Sequence, residues 1–184
     1  MTKRKHNDRS ISRGAMVILA AFALSASCAA RTETAGEEPP PATRAWMDRL
    51  TVPHAYDPAT GFIVAREVIS LPPILTEGPT LAEAVRRGAE EDRVVIAFAT
   101  ADRCAPCQQY KLDALNDPRV VDRLADPRLI ATHVEVDRDP AAAQEFLGSR
   151  GVPMTYALRK GEAVAVLRGQ RSAEELVEWL DAVL

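Results

Sequence analysis

From Thr80 onward the chain alternates between helical and strand-type hydrophobic patterns, and the alternation predicts a layered α/β domain. Thr80 and Glu83 form a capping-box pair ahead of the stripe Leu81, Ala84 and Val85, so a helix runs from there to about Gly88. Arg93-Val-Val-Ile-Ala-Phe-Ala99 is apolar throughout after its arginine, the pattern of a central strand covered on both faces. A helix through Leu112 and Leu115 follows. Asp117-Pro118, an N-cap and a first-turn proline, then opens another over Val120, Val121 and Leu124. Leu129–Val136 reads as a second strand, and Asp139-Pro140 starts a helix that Gly148 stops. Two apolar segments, 154–158 and 163–167, flank Arg159-Lys-Gly-Glu162 in the manner of a hairpin. Ser172 and Glu175 form a second capping box, before a final helix that buries Leu176, Val177, Leu180, Val183 and Leu184. The order α-β-α-α-β-α-β-β-α calls for a central sheet with helices on both faces.

Upstream the pattern is weaker. A short amphipathic start around Trp46, Met47 and Leu50 precedes Gly61–Ile69, which suits a strand or hairpin, and then Leu71-Pro-Pro73. Arg31–Thr43 is polar, with consecutive prolines at 39, 40 and 41, and cannot bury enough apolar surface to fold, so it reads as a disordered tether. Before it, Lys3, Arg4, Lys5, Arg9 and Arg13 lead into an uncharged apolar run from Gly14 to Ala30, the layout of an export signal too short for a membrane span of ~20 residues. Its end, Leu24-Ser-Ala-Ser-Cys28, resembles the bacterial lipobox, which implies that Cys28 becomes the lipidated first residue; cleavage near Ala30 or an uncleaved anchor are the alternatives. The resulting division is a signal over 1–27, a tether over 28–45, an N-terminal extension over 46–78 and the α/β domain over 79–184. Any membrane association is expected through the N-terminal lipid or anchor alone.

Charge narrows the partners. Of 23 basic and 26 acidic side chains, five bases and one acid fall within 1–27, leaving the remainder near −7. An acidic body argues against a nucleic-acid partner, which needs a basic surface. Composition otherwise fits one soluble domain with attachments, 47% hydrophobic and 27% charged.

The candidate chemistry lies in Cys104-Ala105-Pro106-Cys107, directly after the first strand. Free N–H groups and the positive end of a helix stabilise an anion there, so the Cys104 thiolate is favoured and its pKa falls below the ~8.5 of a free thiol. Cys107, almost one turn on, can resolve a mixed disulfide formed at Cys104. Arg103 adds a positive charge that stabilises the thiolate or guides an acidic partner. A lone C-x-x-C also fits half a zinc site or a structural disulfide. Zinc lacks further ligands, because the histidines are His6, His54 and His133 and no second Cys pair exists; no metal and no cofactor are expected. His133 reads as a packed strand residue, Trp46 and Trp179 as packing residues, and Asp102 as either a helix-start cap or a charge opposing Arg103.

Phe98-Ala-Thr-Ala-Asp-Arg-Cys-Ala-Pro-Cys107, Asp117-Pro-Arg-Val120, Val134-Glu-Val-Asp137, Gly151-Val-Pro153 and the closing hairpin and helix together resemble the thioredoxin superfamily. Asn116-Asp-Pro-Arg-Val-Val121 after the long helix is similar to the bacterial group related to the C-terminal domain of the disulfide reductase DsbD. The resemblance implies a thioredoxin fold with a mixed sheet and a cis bond before Pro153. It also implies a Val152 backbone that pairs with an extended substrate, beside Arg103, Ala105 and Pro106. Arg103 stands where relatives carry Trp, Ala97 or Phe98 where a buried acid is usual, and Gln108 where Lys is common. The implied activity is thiol–disulfide exchange in a bacterial envelope, periplasmic or membrane-tethered. Cys104 acts as nucleophile and Cys107 as resolving thiol, on protein thiols or disulfides and with a separate electron donor. The reductive direction is favoured by Pro106, which matches the proline of thioredoxin's own motif, a couple near about −270 mV. The alternative is a thioredoxin-fold binding module with an inert pair.

Overall fold

The computed structural model describes residues 38–184; the expected export signal and Cys28 lie outside them. In chain order the elements are α1 (Pro41–Met47), β1 (His54–Asp57), β2 (Phe62–Ala65), α2 (Pro73–Thr76), α3 (Leu81–Glu90), β3 (Val94–Thr100) and α4 (Ala105–Tyr110). They continue with a π-helical turn (Lys111–Leu115), α5 (Pro118–Leu124), β4 (Leu129–Glu135), α6 (Pro140–Leu147), β5 (Met154–Arg159), β6 (Glu162–Arg168) and α7 (Ala173–Val183).

β3 organises the domain because every one of its residues is buried. Successive side chains on a strand point to opposite faces, so an all-apolar strand needs cover on both. Val94, Ile96 and Phe98 pack with Tyr110, Leu115, Val120, Leu124, Leu176 and Leu180 from α4, its π turn, α5 and α7. Val95, Ala97 and Ala99 pack with Leu81, Ala84, Ala143 and Leu147 from α3 and α6. Each fully buried Leu, Ile or Phe contributes about 1.5–3 kcal/mol relative to exposure, so these two layers dominate the stability. The four strands run in the order β4-β3-β5-β6. β3 is parallel to β4 and antiparallel to β5, and β5 is antiparallel to β6, which makes the sheet mixed. β6 is an edge strand with one covered face, leaving Val164 and Val166 exposed.

Local chemistry fixes the helix starts. Asp117 accepts from Arg119 N–H at 2.9 Å and Asp139 from Ala142 N–H at 3.0 Å. Ser172 and Glu175 bond reciprocally, at 3.2 and 2.8 Å. Such caps are worth about 1 kcal/mol each. Gly148 closes α6 in the left-handed region, at φ 64°, where a side chain would be strained.

The N-terminal part departs from expectation. Residues 41–47 are helical where a tether was expected through residue 45. Pro41 takes a first-turn position, which presets φ for a helix, and Arg44 pairs with Glu38 at 3.0 Å. The hairpin falls earlier than Gly61–Ile69. Asp57 accepts from Ala59 N–H at 3.0 Å and from the Thr60 hydroxyl at 2.6 Å, Gly61 turns at φ 74°, and His54–Asp57 pairs with Phe62–Ala65. This region belongs to the same compact unit as the sheet.

Candidate redox site

β3 ends at Thr100, and a tight turn returns the chain into α4, with Cys104 N–H donating to Ala101 C=O at 3.1 Å. Cys104 is the N-cap of α4, and the Cys107 N–H points at its Sγ at 3.2 Å. Pro106 has no N–H to offer, so Cys107 supplies the first-turn donor that reaches the sulfur. The two cysteines form a disulfide, Cα to Cα 5.1 Å. Cys107 is fully buried and Cys104 half-buried, so an incoming group meets Cys104. In the reduced chain the same N–H and the helix start favour a thiolate at Cys104.

Gln108 and Gln109 lock the N-terminal segment to this helix, a role that their sequence positions had not suggested. Gln108, fully buried, accepts from Ile69 N–H at 2.7 Å and donates to the carbonyls of Asp102 and Ala101 at 3.0 and 3.3 Å. Gln109 accepts from Thr51 and Val52 N–H at 2.7 and 3.1 Å and donates to Asp113 Oδ2 at 2.8 Å. Leu50 and Val52 then cover Ala105. Consecutive amides directly after the Cys pair, on a helix due to be buried, were the available signal: buried amides need partners, and the sheet offered none. Ala105 is therefore 0% exposed and faces the N-terminal segment instead of a substrate. β2 completes the attachment, with Ala65 N–H donating to Arg103 C=O at 2.8 Å and Val64 bridging to Cys104.

Of the other expected substrate-facing residues, Arg103, Pro106 and Val152 line one groove together with Cys104. Arg103 is exposed and pairs with Asp137 at 3.8 Å. The Val152–Pro153 bond is cis; Pro153 itself is buried and does not line the groove. Trp46 is no core residue: it lies in this groove, 42% exposed, with the Arg49 guanidinium 4.6 Å from its ring centre.

A polar cluster sits one helical turn beyond Cys107. Lys111, 2% exposed, reaches Asp102 Oδ1 at 3.4 Å, and Arg138 binds Asp102 Oδ2. Asp102 therefore neither opposes Arg103 nor caps α4; Cys104 is the cap. Burial disfavours its ionisation, but the Lys111 and Arg138 cations outweigh that and hold its carboxyl below the usual range. Glu135, level with Thr100 across the sheet, accepts from Asp102 N–H at 2.7 Å, and its Oε2 is buried without a partner among the described residues. Burial pushes this carboxyl up, and the nearby Asp102 charge adds to the rise. His133 bonds Thr100 Oγ1 through Nε2 at 2.7 Å, and burial, aided by Lys111, lowers its pKa to about 4. It is a packed, neutral imidazole. Burial likewise raises the Tyr110 phenol, which shares a hydrogen bond of 2.9 Å with Thr155. Among the described residues no group of three His, Cys, Asp or Glu side chains is placed to hold a metal.

Residues 76–159 match the sequence profile of a thioredoxin-like family. With the mixed β4-β3-β5-β6 sheet, helices on both faces and a Cys pair at the start of the helix after β3, this settles the architecture. The fold is that of thioredoxin. Solved structures similar to the chain include a thioredoxin from Thermus thermophilus, 27% identical over 56% of this chain and 83% of that one, TM-score 0.48. A Fasciola hepatica thioredoxin is 19% identical over 56% and 91%, TM-score 0.44. A mutant thioredoxin from Halobacterium salinarum is 26% identical over 53% and 81%, TM-score 0.42. A thioredoxin fold that brings two cysteines to disulfide distance points to a redox function.

Proposed function

We propose that the chain is a thiol–disulfide oxidoreductase of the cell envelope that reduces protein disulfides. The carrying observation is the asymmetric pair: a half-buried Cys104 that caps α4, with Cys107 buried behind it. In the reduced protein the Cys104 thiolate attacks one sulfur of a substrate disulfide. A Cys104–substrate bond forms, the substrate bond breaks, and the first substrate thiolate leaves and takes a proton. Cys107, deprotonated, then attacks Cys104 Sγ and releases the second substrate thiol. Two electrons have passed to the substrate, the protein holds the Cys104–Cys107 disulfide, and an external dithiol must reduce it again. Val152 lies in the groove beside Cys104, and neither its N–H nor its C=O is paired among the described residues, which supports recognition of an extended substrate backbone.

The reductive direction rests on Pro106, and kinship with the DsbD C-terminal domain on Asn116-Asp-Pro-Arg. Export and tethering rest on the basic, then apolar, residues before Cys28; Cys28→Ser should move the full chain out of the membrane fraction, and unchanged partitioning would refute lipid anchoring. Insulin reduction by the full chain with a dithiol donor tests the activity: Cys104→Ser should abolish it, and the midpoint potential should lie below about −180 mV. Full activity in Cys104→Ser, or a pair inert to dithiols as a pure binding module requires, would refute the mechanism. A potential above that value would reverse the direction.

A further inference from the structure

One wall of the groove beside the disulfide is built by residues that exchange chemistry does not require. α1 and β2 contribute Trp46 and Phe62 to a cavity of about 510 Å³ that Arg103, Cys104, Pro106 and Val152 also line. Phe62 is 70% and Trp46 42% exposed, so two large apolar side chains stand in solvent beside the disulfide. Their backbone is anchored: β2 is held between β1 and the Arg103–Cys104 segment, and Gln108 and Gln109 clamp the residues on either side of the hairpin. Burying such side chains against a bound group is favourable in proportion to the apolar area covered, and a fixed wall loses little freedom when it is covered.

The groove also carries a charge preference. Arg103 is matched by Asp137, whereas Asp57, which lines the same cavity, has no cation within salt-bridge distance among the described residues. The charged side chains that line the cavity, Asp57 and Asp137 against Arg103, sum to one negative charge, which complements a cation; Arg49, stacked on Trp46, is outside that lining. Val152 offers a backbone edge unpaired among the described residues at the same place, which suits an extended peptide better than a compact small molecule.

We propose that this groove gives the exchange site its substrate selectivity, favouring protein disulfides in extended segments whose cysteine neighbours a large apolar residue and a Lys or Arg. The inference rests on the exchange activity proposed above.

The test uses the reduced full chain and symmetric disulfides of three short peptides: one with Lys before and Trp after the cysteine, one with Trp changed to Ser, and one with Lys changed to Glu. The wild-type rate constant should fall about tenfold or more for the Trp change and about threefold at low salt for the Lys change. Trp46→Ser with Phe62→Ser should shrink the first ratio to within about twofold, and Asp57→Asn should erase the second. Val164→Ser, an exposed site on β6 outside the groove, should keep both ratios. Wild-type ratios near one, or ratios unchanged in the groove variants, would overturn the selectivity while leaving exchange intact. No reaction with any of the three peptides or with hydroxyethyl disulfide would overturn the exchange reading, and the selectivity with it.

Discussion

Gln109→Ala tests whether the N-terminal segment is an integral part of the site. The side chain is 3% exposed and accepts from Thr51 N–H at 2.7 Å and Val52 N–H at 3.1 Å. Truncation orphans the Val52 N–H, which is buried, at a cost of about 1–3 kcal/mol. Thr51 is exposed, so water can replace its partner at little cost. The vacated space adds part of the usual penalty for a cavity, and the better helix propensity of Ala returns a few tenths of a kcal/mol. The net expectation is a destabilisation of about 2 kcal/mol, read as a lower urea midpoint by circular dichroism, with faster amide exchange at Val52. Ile69, held separately by Gln108, should stay protected. Gln109→Glu keeps the acceptor but sets a second carboxylate against Asp113, so it should fall between wild type and Ala. A change under about 0.5 kcal/mol in Gln109→Ala, with unaltered exchange at Val52, would refute the clamp.

Two further variants probe the polar cluster. His133 titrates near 4 when folded, against about 6.5 unfolded. Above 6.5 both states are neutral; as pH falls towards 4 the unfolded chain binds the proton first, so stability drops by up to about 1.4 kcal/mol per pH unit. His133→Gln, which can keep the bond to Thr100, should flatten that slope in urea titrations between pH 7 and 4.5, and equal slopes would refute it. Asp102→Ala leaves the Lys111 cation buried without its carboxylate, at a cost of about 3 kcal/mol, and adding Lys111→Met should recover most of it. If the double variant is no more stable than Asp102→Ala alone, the pairing is not what holds this cluster.

The sheet and its helices were legible because periodicity reports burial. Val94–Thr100 is apolar on both sides since α3 and α6 cover one face and α4, α5 and α7 the other, and the Asp-Pro and Ser-x-x-Glu signals announced real caps. Residues 41–79 resisted because, apart from the β1–β2 pairing, what orders them is contact with the site and the sheet core far along the chain. Trp46 and Phe62 look like core residues by composition but stand in the groove. Gln108 and Gln109 look like surface amides but are buried by Thr51, Val52 and Ile69, some forty to sixty positions upstream. Ala105 sits inside the motif, yet this same segment hides it. No local pattern encodes a partner so far away along the chain. Asp102 shows the converse: the charge next to it in sequence is Arg103, but the strand end at Glu135 brings Arg138 within reach, and the helix turn brings Lys111.

The most direct measurement is capture of the exchange intermediate. The reduced full chain carrying Cys107→Ser is mixed with the Lys- and Trp-flanked peptide disulfide, quenched by acid, and mapped by mass spectrometry after proteolysis. A mixed disulfide between the peptide and Cys104 should accumulate to near one equivalent and persist, whereas the wild type should release free peptide thiol. Peptide attached at Cys28 instead of Cys104, or none attached at all, would contradict exchange through the Cys104–Cys107 pair.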